Sequence, residues 1–395
     1  MEEQGMPDDV ITEILLRLPS KSVLRCGAVC RSWRCITTCP YFLATHSSRR
    51  PNEMVVVIES DKLGTVPLTA PVKGRQMWES EGRPWSSRPL YFCCPKYKAG
   101  DGNTIAYCKI LDSLDGLLVF EQRVGLYFIS NPTTRQRAYL PPLGPETCTN
   151  PVACGFYFHR PSGEYRLLCH GTDQAAATGG DLYYTLSAGG SQPRRLVAAP
   201  AERPRVYQPP VTHRGALHWL PCFIEVMRTG KMRILAFDTA SETFRLMSTP
   251  PVRDGDAMSL VELGGVLCVA AMKLHDGTSL DIWALQQDCE AETERSSWVL
   301  RYHVEMPLIE LGLNVVVRSV VAAGEDVILV GRRHNGVARW FHLKEGRLLK
   351  QLHLWPRLVF LVFRESLVRH AFFDSPGPDL SHVQQQEADY LHFKY

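Results

Sequence analysis

The sequence lacks most of the features that announce chemistry. It has no G-x-S-x-G elbow, no H-E-x-x-H, no Walker loop and no G-x-G-x-x-G. The common signatures of a nucleophilic hydrolase, a zinc peptidase and a nucleotide-binding protein are therefore missing. No uninterrupted apolar run reaches the roughly 18 residues that a membrane-spanning helix needs. Even the stretch from Leu313 to Gly331 is cut by Arg318, Glu325 and Asp326. Charge of one sign is also lacking: 44 Lys and Arg face 41 Asp and Glu, a net +3. That balance makes no electrostatic case for nucleic acid or for an anionic membrane as partner. Glu2 and Glu3 stand where a secretory leader would place basic residues before an apolar run. The 13 cysteines, an odd number without such a leader, argue for reduced thiols in the cytoplasm, the nucleus or both. What remains is an ordinary intracellular composition, 45% apolar and 22% charged over 395 residues, with room for two or three domains.

The most legible stretch is Met6 to His46. Val10, Ile11, Ile14, Leu15 and Leu18 recur at the spacing that lines one face of a helix. Pro7 suits a first helical position, and Asp8 and Asp9 oppose the positive end of the helix dipole. Pro19 ends this helix. Ser20 is the expected N-cap of a second helix carrying Val23, Leu24 and Ala28. Cys30, Trp33 and Ile36 form the stripe of a third, which Pro40 closes. Three helices of this size bury too little apolar area to stand alone, so something must cover them.

The stretch "MPDDVITEILLRLPSKSVLRCGAVCRSWRCI" closely resembles the F-box. The resemblance rests on Pro7, Asp8, Ile14, Leu18, Pro19, Leu24, Arg25, Val29, Cys30, Arg31 and Trp33. Met6 replaces the usual Leu, and Gly27 costs its helix about 1 kcal/mol against Ala. The resemblance implies docking on a Skp-family adaptor, and through it on a cullin-RING ubiquitin ligase. Its adaptor-binding residues would be Pro7, Ile14, Leu18, Pro19, Leu24, Val29, Cys30 and Trp33.

Beyond about residue 47 the pattern becomes one of short strands. Met54 to Ile58 and Leu90 to Cys93 come first, separated by Pro- and Gly-rich loops. A unit then recurs, in which a turn leads to an apolar strand, a second strand, a polar turn and a third strand. The apolar strands that open the units are Leu117 to Phe120, Cys154 to Phe158, Ala216 to Leu220, Val266 to Ala270 and Val327 to Val330. Turn-to-turn spacings of about thirty to fifty residues belong to repeat architectures, and four-stranded blades closed into a ring leave few open sheet edges. The expected fold class is α+β: a small three-helix F-box at 1–46, then an antiparallel all-β domain at 47–372, a β-propeller of about six blades. Val359 to Phe363 and Ser366 to Arg369 would join Met54 to Ile58 in one blade, and 373–395 would form a loosely ordered tail.

"SLDGLLVF", "ISNPTTRQRAYLPPL", "GFYFHRPSGEYRLL", "GALHWL" and "ILAFDTASETFRLMSTPP" resemble, in that order, the F-box-associated propeller-like domain of plant F-box proteins. The match spans most of 110 to 250 and is looser to about 355.

No cofactor, metal or catalytic residue is expected. Cys26, Cys30, Cys35 and Cys39 are explained by packing on buried helix stripes rather than by zinc. Cys93 and Cys94 would face opposite sides of a strand. His218, His342 and His353 read as strand residues without a converging partner. The acidic turn of Asp288, Glu290, Glu292 and Glu294, and the basic spots at Arg194, Arg195, Arg203, Arg205 and Arg332 to His334, read as solvated surface. The expected role is recruitment of a target protein to an SCF-type ubiquitin ligase, with the target's identity and binding residues unassigned. The alternatives are an enzyme on a propeller scaffold, which needs charged groups converging on the central channel, and an adaptor-binding protein acting outside ubiquitin transfer.

Overall fold

The computed structural model describes residues 6–59, 62–68, 88–90, 97–98, 105–106, 108–173, 180–200, 202–206, 208–253, 256–272, 279–286, 297–305, 318–332, 337–353 and 358–378. The chain opens with four short helices, α1 (Asp8–Arg17), α2 (Ser20–Cys26), α3 (Arg31–Thr38) and α4 (Pro40–Ser48). Two details differ from the pattern in the sequence. Ser20 is the first residue of α2, behind an N-cap at Pro19, and its hydroxyl is used elsewhere. Pro40 opens α4 instead of merely closing α3, because a residue without an N–H suits a helix start as well as it suits a stop. Helix α4 thus runs on past residue 46.

Six four-stranded antiparallel sheets follow. Blades two to six occupy 109–139, 149–195, 211–248, 257–305 and 318–353. Blade one is shared between chain ends: Leu358–Phe363 pairs with Glu53–Glu59, which continues to Lys62–Pro67 and Arg88–Leu90. Phe363 lies opposite Glu53, and Val362 opposite Met54. The innermost strands are Leu358–Phe363, Lys109–Leu114, Thr149–His159, Val211–His213, Ala257–Leu263 and Arg318–Ala322.

Each junction between neighbouring blades holds its own apolar cluster. Leu117, Tyr127 and Ile129 meet Phe156 and Leu167 between blades two and three. Leu168 and Tyr183 meet Leu217 and Phe237 at the next junction, and Met54 and Val56 meet Leu329 and Trp340 where blade six reaches blade one. Further clusters fill the remaining three junctions. The ring is thus closed by apolar burial at each of its six junctions. Three indole N–H groups add a polar stitch across junctions: Trp219 donates to the Cys154 carbonyl (2.9 Å), Trp298 to Ser248 (2.9 Å) and Trp340 to Leu68 (2.8 Å).

Turn chemistry sets the hairpins. Asp115-Gly116, Arg214-Gly215 and Gly264-Gly265 all have positive φ at both residues, the geometry of a two-residue type I′ turn. Each joins an innermost strand to the apolar strand after it, with Leu114 opposite Leu117, His213 opposite Ala216 and Leu263 opposite Val266. The innermost strands of these blades are absent from the pattern in the sequence, which places the turn but not the strand before it.

Ser366 to Arg369 forms no strand. Residues 364–370 leave blade one as irregular chain and end in a short 3-10 turn, Ala371–Phe373. The Ser366 carbonyl accepts from Asn131 Nδ2 at 3.1 Å, and Leu367 enters the helical core. Phe372 and Phe373 pack on the cluster between blades two and three, so the expected tail begins on an anchored residue; 379–395 lie outside the described residues. So do Cys93 and Cys94, the Asp288–Glu294 turn and Arg333–His334.

Candidate docking surface on the helical module

Leu15, Leu16, Val23, Phe42 and Leu43 form the core of the four helices, and Leu367 from the far end of the chain completes it. Ile11, Leu18, Trp33 and Ile36 pack at its margin. The carbonyls at the end of α1, which have no partner inside the helix, are taken by α4 and by Arg50, two residues beyond it. His46 Nε2 lies 2.9 Å from the Leu18 carbonyl, and the Arg50 guanidinium donates to Leu18 (3.0 Å) and Leu16 (3.1 Å). Burial holds the His46 pKa below its usual range, so the ring is neutral at physiological pH. Glu13 bonds Arg49 at 2.9 Å and Arg17 at 3.3 Å on the outer face.

A helix one face of which is buried should show polar side chains opposite. Here it does not. Val10 is 47% exposed and Ile14 46%, one turn apart on α1, with exposed Pro7 in line before them. The five apolar positions of α1 therefore divide into an inner row, Ile11, Leu15 and Leu18, and an outer row left in water. Pro19, Leu24 (49%), Val29 (65%) and Cys30 are exposed as well. Six of the eight residues expected to dock an adaptor thus lie open, whereas Leu18 and Trp33 are half-buried against the helical core.

The open residues fall into two groups. Ser32 Oγ donates to Asp8 Oδ1 at 3.3 Å, which ties the start of α1 to the start of α3. Cys30 caps α3 by accepting from the Trp33 amide at 3.5 Å. Leu24 instead borders a cleft of about 700 Å³ between the helices and blade two, whose other wall includes Thr134, Gln136 and Arg369. Met6 (56%), at the leading apolar position of the motif, is exposed too, and so is Tyr41 (78%), which lies outside the motif's positions. The surplus of apolar positions on α1 could have pointed to Val10; Tyr41 carries no such signal.

Packing does not account for the cysteines of this module. Cys30, Cys35 and Cys39 are exposed and only Cys26 is partly covered, because the helices are too short to bury more than one row each. Among the described residues no group of three or more His, Cys, Asp or Glu side chains is placed to hold a metal ion, and no helix is long and apolar enough to cross a membrane.

The channel of the ring is more polar than the sequence implied. Asp112, Arg205, His218 and Glu262 all line a central cavity of about 350 Å³. The basic spots are not all solvated surface either. Arg194 bonds Glu242, Arg203 bonds Asp181 at 2.9 Å, and Arg205 turns inward. These charges went unread because no local pattern distinguishes a strand facing a channel from one facing solvent.

The F-box associated beta propeller domain family matches residues 94–342, and the F-box domain family matches residues 4–44. A protein of Arabidopsis thaliana named for its F-box is 25% identical over 287 residues, 72% of this chain and 69% of its own. An F-box/LRR-repeat/kelch-repeat protein of the same plant is 26% identical over 304 residues, 69% of this chain and 72% of its own. A third, an F-box protein, is 25% identical over 338 residues, 82% and 76% of the two chains.

Proposed function

Because the chain belongs to the F-box-associated β-propeller family and carries an F-box ahead of its propeller, we propose that it is the substrate-recruiting subunit of an SCF-type cullin-RING ubiquitin ligase, without an active site of its own. In this reading the helices of 1–46, with the rest of α4, dock a Skp-family adaptor and hence a cullin. The propeller of 47–372 holds a target protein, and 373–395 is a tail, all within the cytoplasm or nucleus. Its contribution to transfer is positional, since a lysine held near the charged ubiquitin conjugate reacts at a raised effective concentration.

The observation that carries this reading is the exposure of the outer apolar row Pro7, Val10 and Ile14, and with it of Val29 and Cys30. Fully burying a side chain of the size of Val or Ile contributes about 1.5–3 kcal/mol, so a partner that covers this row gains affinity from it directly. The adaptor contacts proposed are Pro7, Ile14, Leu18, Pro19, Leu24, Val29, Cys30 and Trp33. Leu18 and Trp33 act from the margin of the core, where they also hold helix to helix.

The test is capture of purified Skp-family adaptor by the full chain. Val10→Glu with Ile14→Glu changes only exposed positions, so adaptor capture should be lost while the melting profile is kept. Leu18→Ala with Pro19→Ala should also lose capture, with some loosening of the helices. Undiminished capture by both pairs would sink the docking assignment. Co-purification with adaptor but never with cullin would favour a role outside ubiquitin transfer.

A further inference from the structure

Of the ionisable residues that line the cavity on the propeller axis, Asp112, Arg205, His218 and Glu262, the first two have no charged partner among the described residues. Asp112 lies on the innermost strand of blade two, at a register shift between Ile110 and Asp112. Its Oδ1 accepts from the Ser113 amide at 2.8 Å and its Oδ2 from the Phe156 amide at 2.9 Å. Among the described residues no cation bonds it, and burial pushes the carboxyl up to about 7. Arg205 lies in the connection between blades three and four and is half-buried. Its guanidinium forms no hydrogen bond or ion pair with any described residue, and burial lowers its pKa. Both groups line the same cavity of about 350 Å³, whose walls also include Trp219, Val261 and Phe360.

A guanidinium taken partly out of water without an acceptor is costly, and so is a carboxyl group held deep in the ring without a donor from a side chain. A ligand that carries both complementary groups relieves both costs at once. The planar fork of an arginine matches a carboxylate with two parallel hydrogen bonds. A cavity of this volume, mostly apolar with a few polar anchors, is of the kind that takes a small molecule.

We propose that the central channel binds a small organic acid that also bears a hydroxyl group, with the acid on Arg205, the hydroxyl donating to Asp112, and the apolar body against Trp219, Val261 and Phe360. This site is separate from adaptor docking, since every group in it belongs to the propeller. It would make target recognition responsive to a metabolite on the axis of the ring.

The probe is p-hydroxybenzoate, titrated calorimetrically into the full chain, with benzoate and p-hydroxybenzyl alcohol as the two single-group controls. One-site, saturable binding of p-hydroxybenzoate is expected, at least tenfold tighter than either control. Arg205→Gln should weaken the acid at least tenfold, whereas Arg214→Gln, at an exposed turn, should leave affinity unchanged. Asp112→Ala should bring p-hydroxybenzoate and benzoate to equal affinity while benzoate still binds, which separates a lost contact from a lost fold. No saturable binding of either acid, or equal affinity in wild type and Arg205→Gln, would overturn the proposal.

Discussion

The hydroxyl of Ser20 donates to the carboxylate of Glu365 at 2.7 Å, and both residues are buried although 345 positions separate them. Ser47 Oγ also reaches the Glu365 carbonyl, at 3.3 Å. The helical module is therefore seated on the chain that leaves the last propeller strand, not merely linked to the ring through residues 49–52. Removing the Ser20 hydroxyl deprives a buried carboxylate of a partner, a change that costs about 1–3 kcal/mol. Ser20→Ala should lower unfolding free energy by about 2 kcal/mol in urea titration, with the largest loss of amide protection in α2.

Leu367 has 3% of its surface exposed and fills the helical core beside Leu15 and Phe42. Truncating a buried leucine leaves a cavity and costs about 2–5 kcal/mol. Leu367→Ala should accelerate hydrogen exchange throughout α1, α2 and α4 while the amides of blades three to five keep their rates. Equal loss of protection in all blades would show that the helices and ring unfold as one unit.

Between blades three and four, Glu242 accepts from the Tyr157 hydroxyl at 2.5 Å, from Arg166 at 2.8 Å and from Arg194. The Glu242 and Arg166 side chains are only 9% and 11% exposed. Arg166 keeps Glu164 at 2.5 Å as a second partner, so removing the Glu242 charge costs its lost charge-assisted hydrogen bonds, about 1–3 kcal/mol, and leaves no stranded cation. Glu242→Gln should destabilise by about 1–3 kcal/mol, and a double-mutant cycle with Arg166→Met should recover a coupling energy above 1 kcal/mol. Strict additivity in that cycle would mean the pair contributes nothing of its own.

His218 is buried, its Nδ1 3.2 Å from the Val211 carbonyl, and desolvation pushes its pKa down to about 4. The unfolded chain takes up this proton near pH 6.5, before the folded one does. The contribution of His218 to stability is thus intact above about pH 6.5 and is lost as pH falls below it. Asp112, raised to about 7, has the opposite dependence: its stabilising effect is present at low pH and is lost as pH rises through 7. The two oppose each other in the wild type, so the measurement is a difference. Relative to His218→Gln, the wild type should lose about 2 kcal/mol between pH 7 and pH 5. A difference that does not vary with pH would place the proton elsewhere.

The parts of the ring that could be read from sequence are those where burial and turn chemistry act on neighbouring residues. Leu117 to Phe120 and Val266 to Ala270 are continuous apolar runs because both faces are covered. Asn131 and Asp238 accept from the amides of the residues two and three positions on, so "NPTTR" and "DTASE" announce their turns. The innermost strands of blades two and four hide because one face meets the channel: Lys109–Leu114 carries Lys, Asp and Ser among its six residues, and Val211–His213 has only three. Arg194–Arg195, an outermost strand of two exposed arginines, has no apolar signature at all. In the helical module the motif marked the residues proposed to dock, but only packing tells Leu18 and Trp33, turned toward the core, from Ile14 and Val29 in water.

Blade one is completed by Leu358–Phe363 and the helical core by Leu367, both of which follow α1 to α4 by about three hundred residues of chain. A chain stopped before residue 358 would carry every residue of the adaptor motif and still lack what seats it. Under the proposed reading, a chain that lacks residues 358–367 presents the motif on unseated helices beside an unclosed ring, and both halves of the proposed role fail together. Chains truncated at residue 355 should capture adaptor more weakly than full-length chains at equal concentration, despite an identical motif.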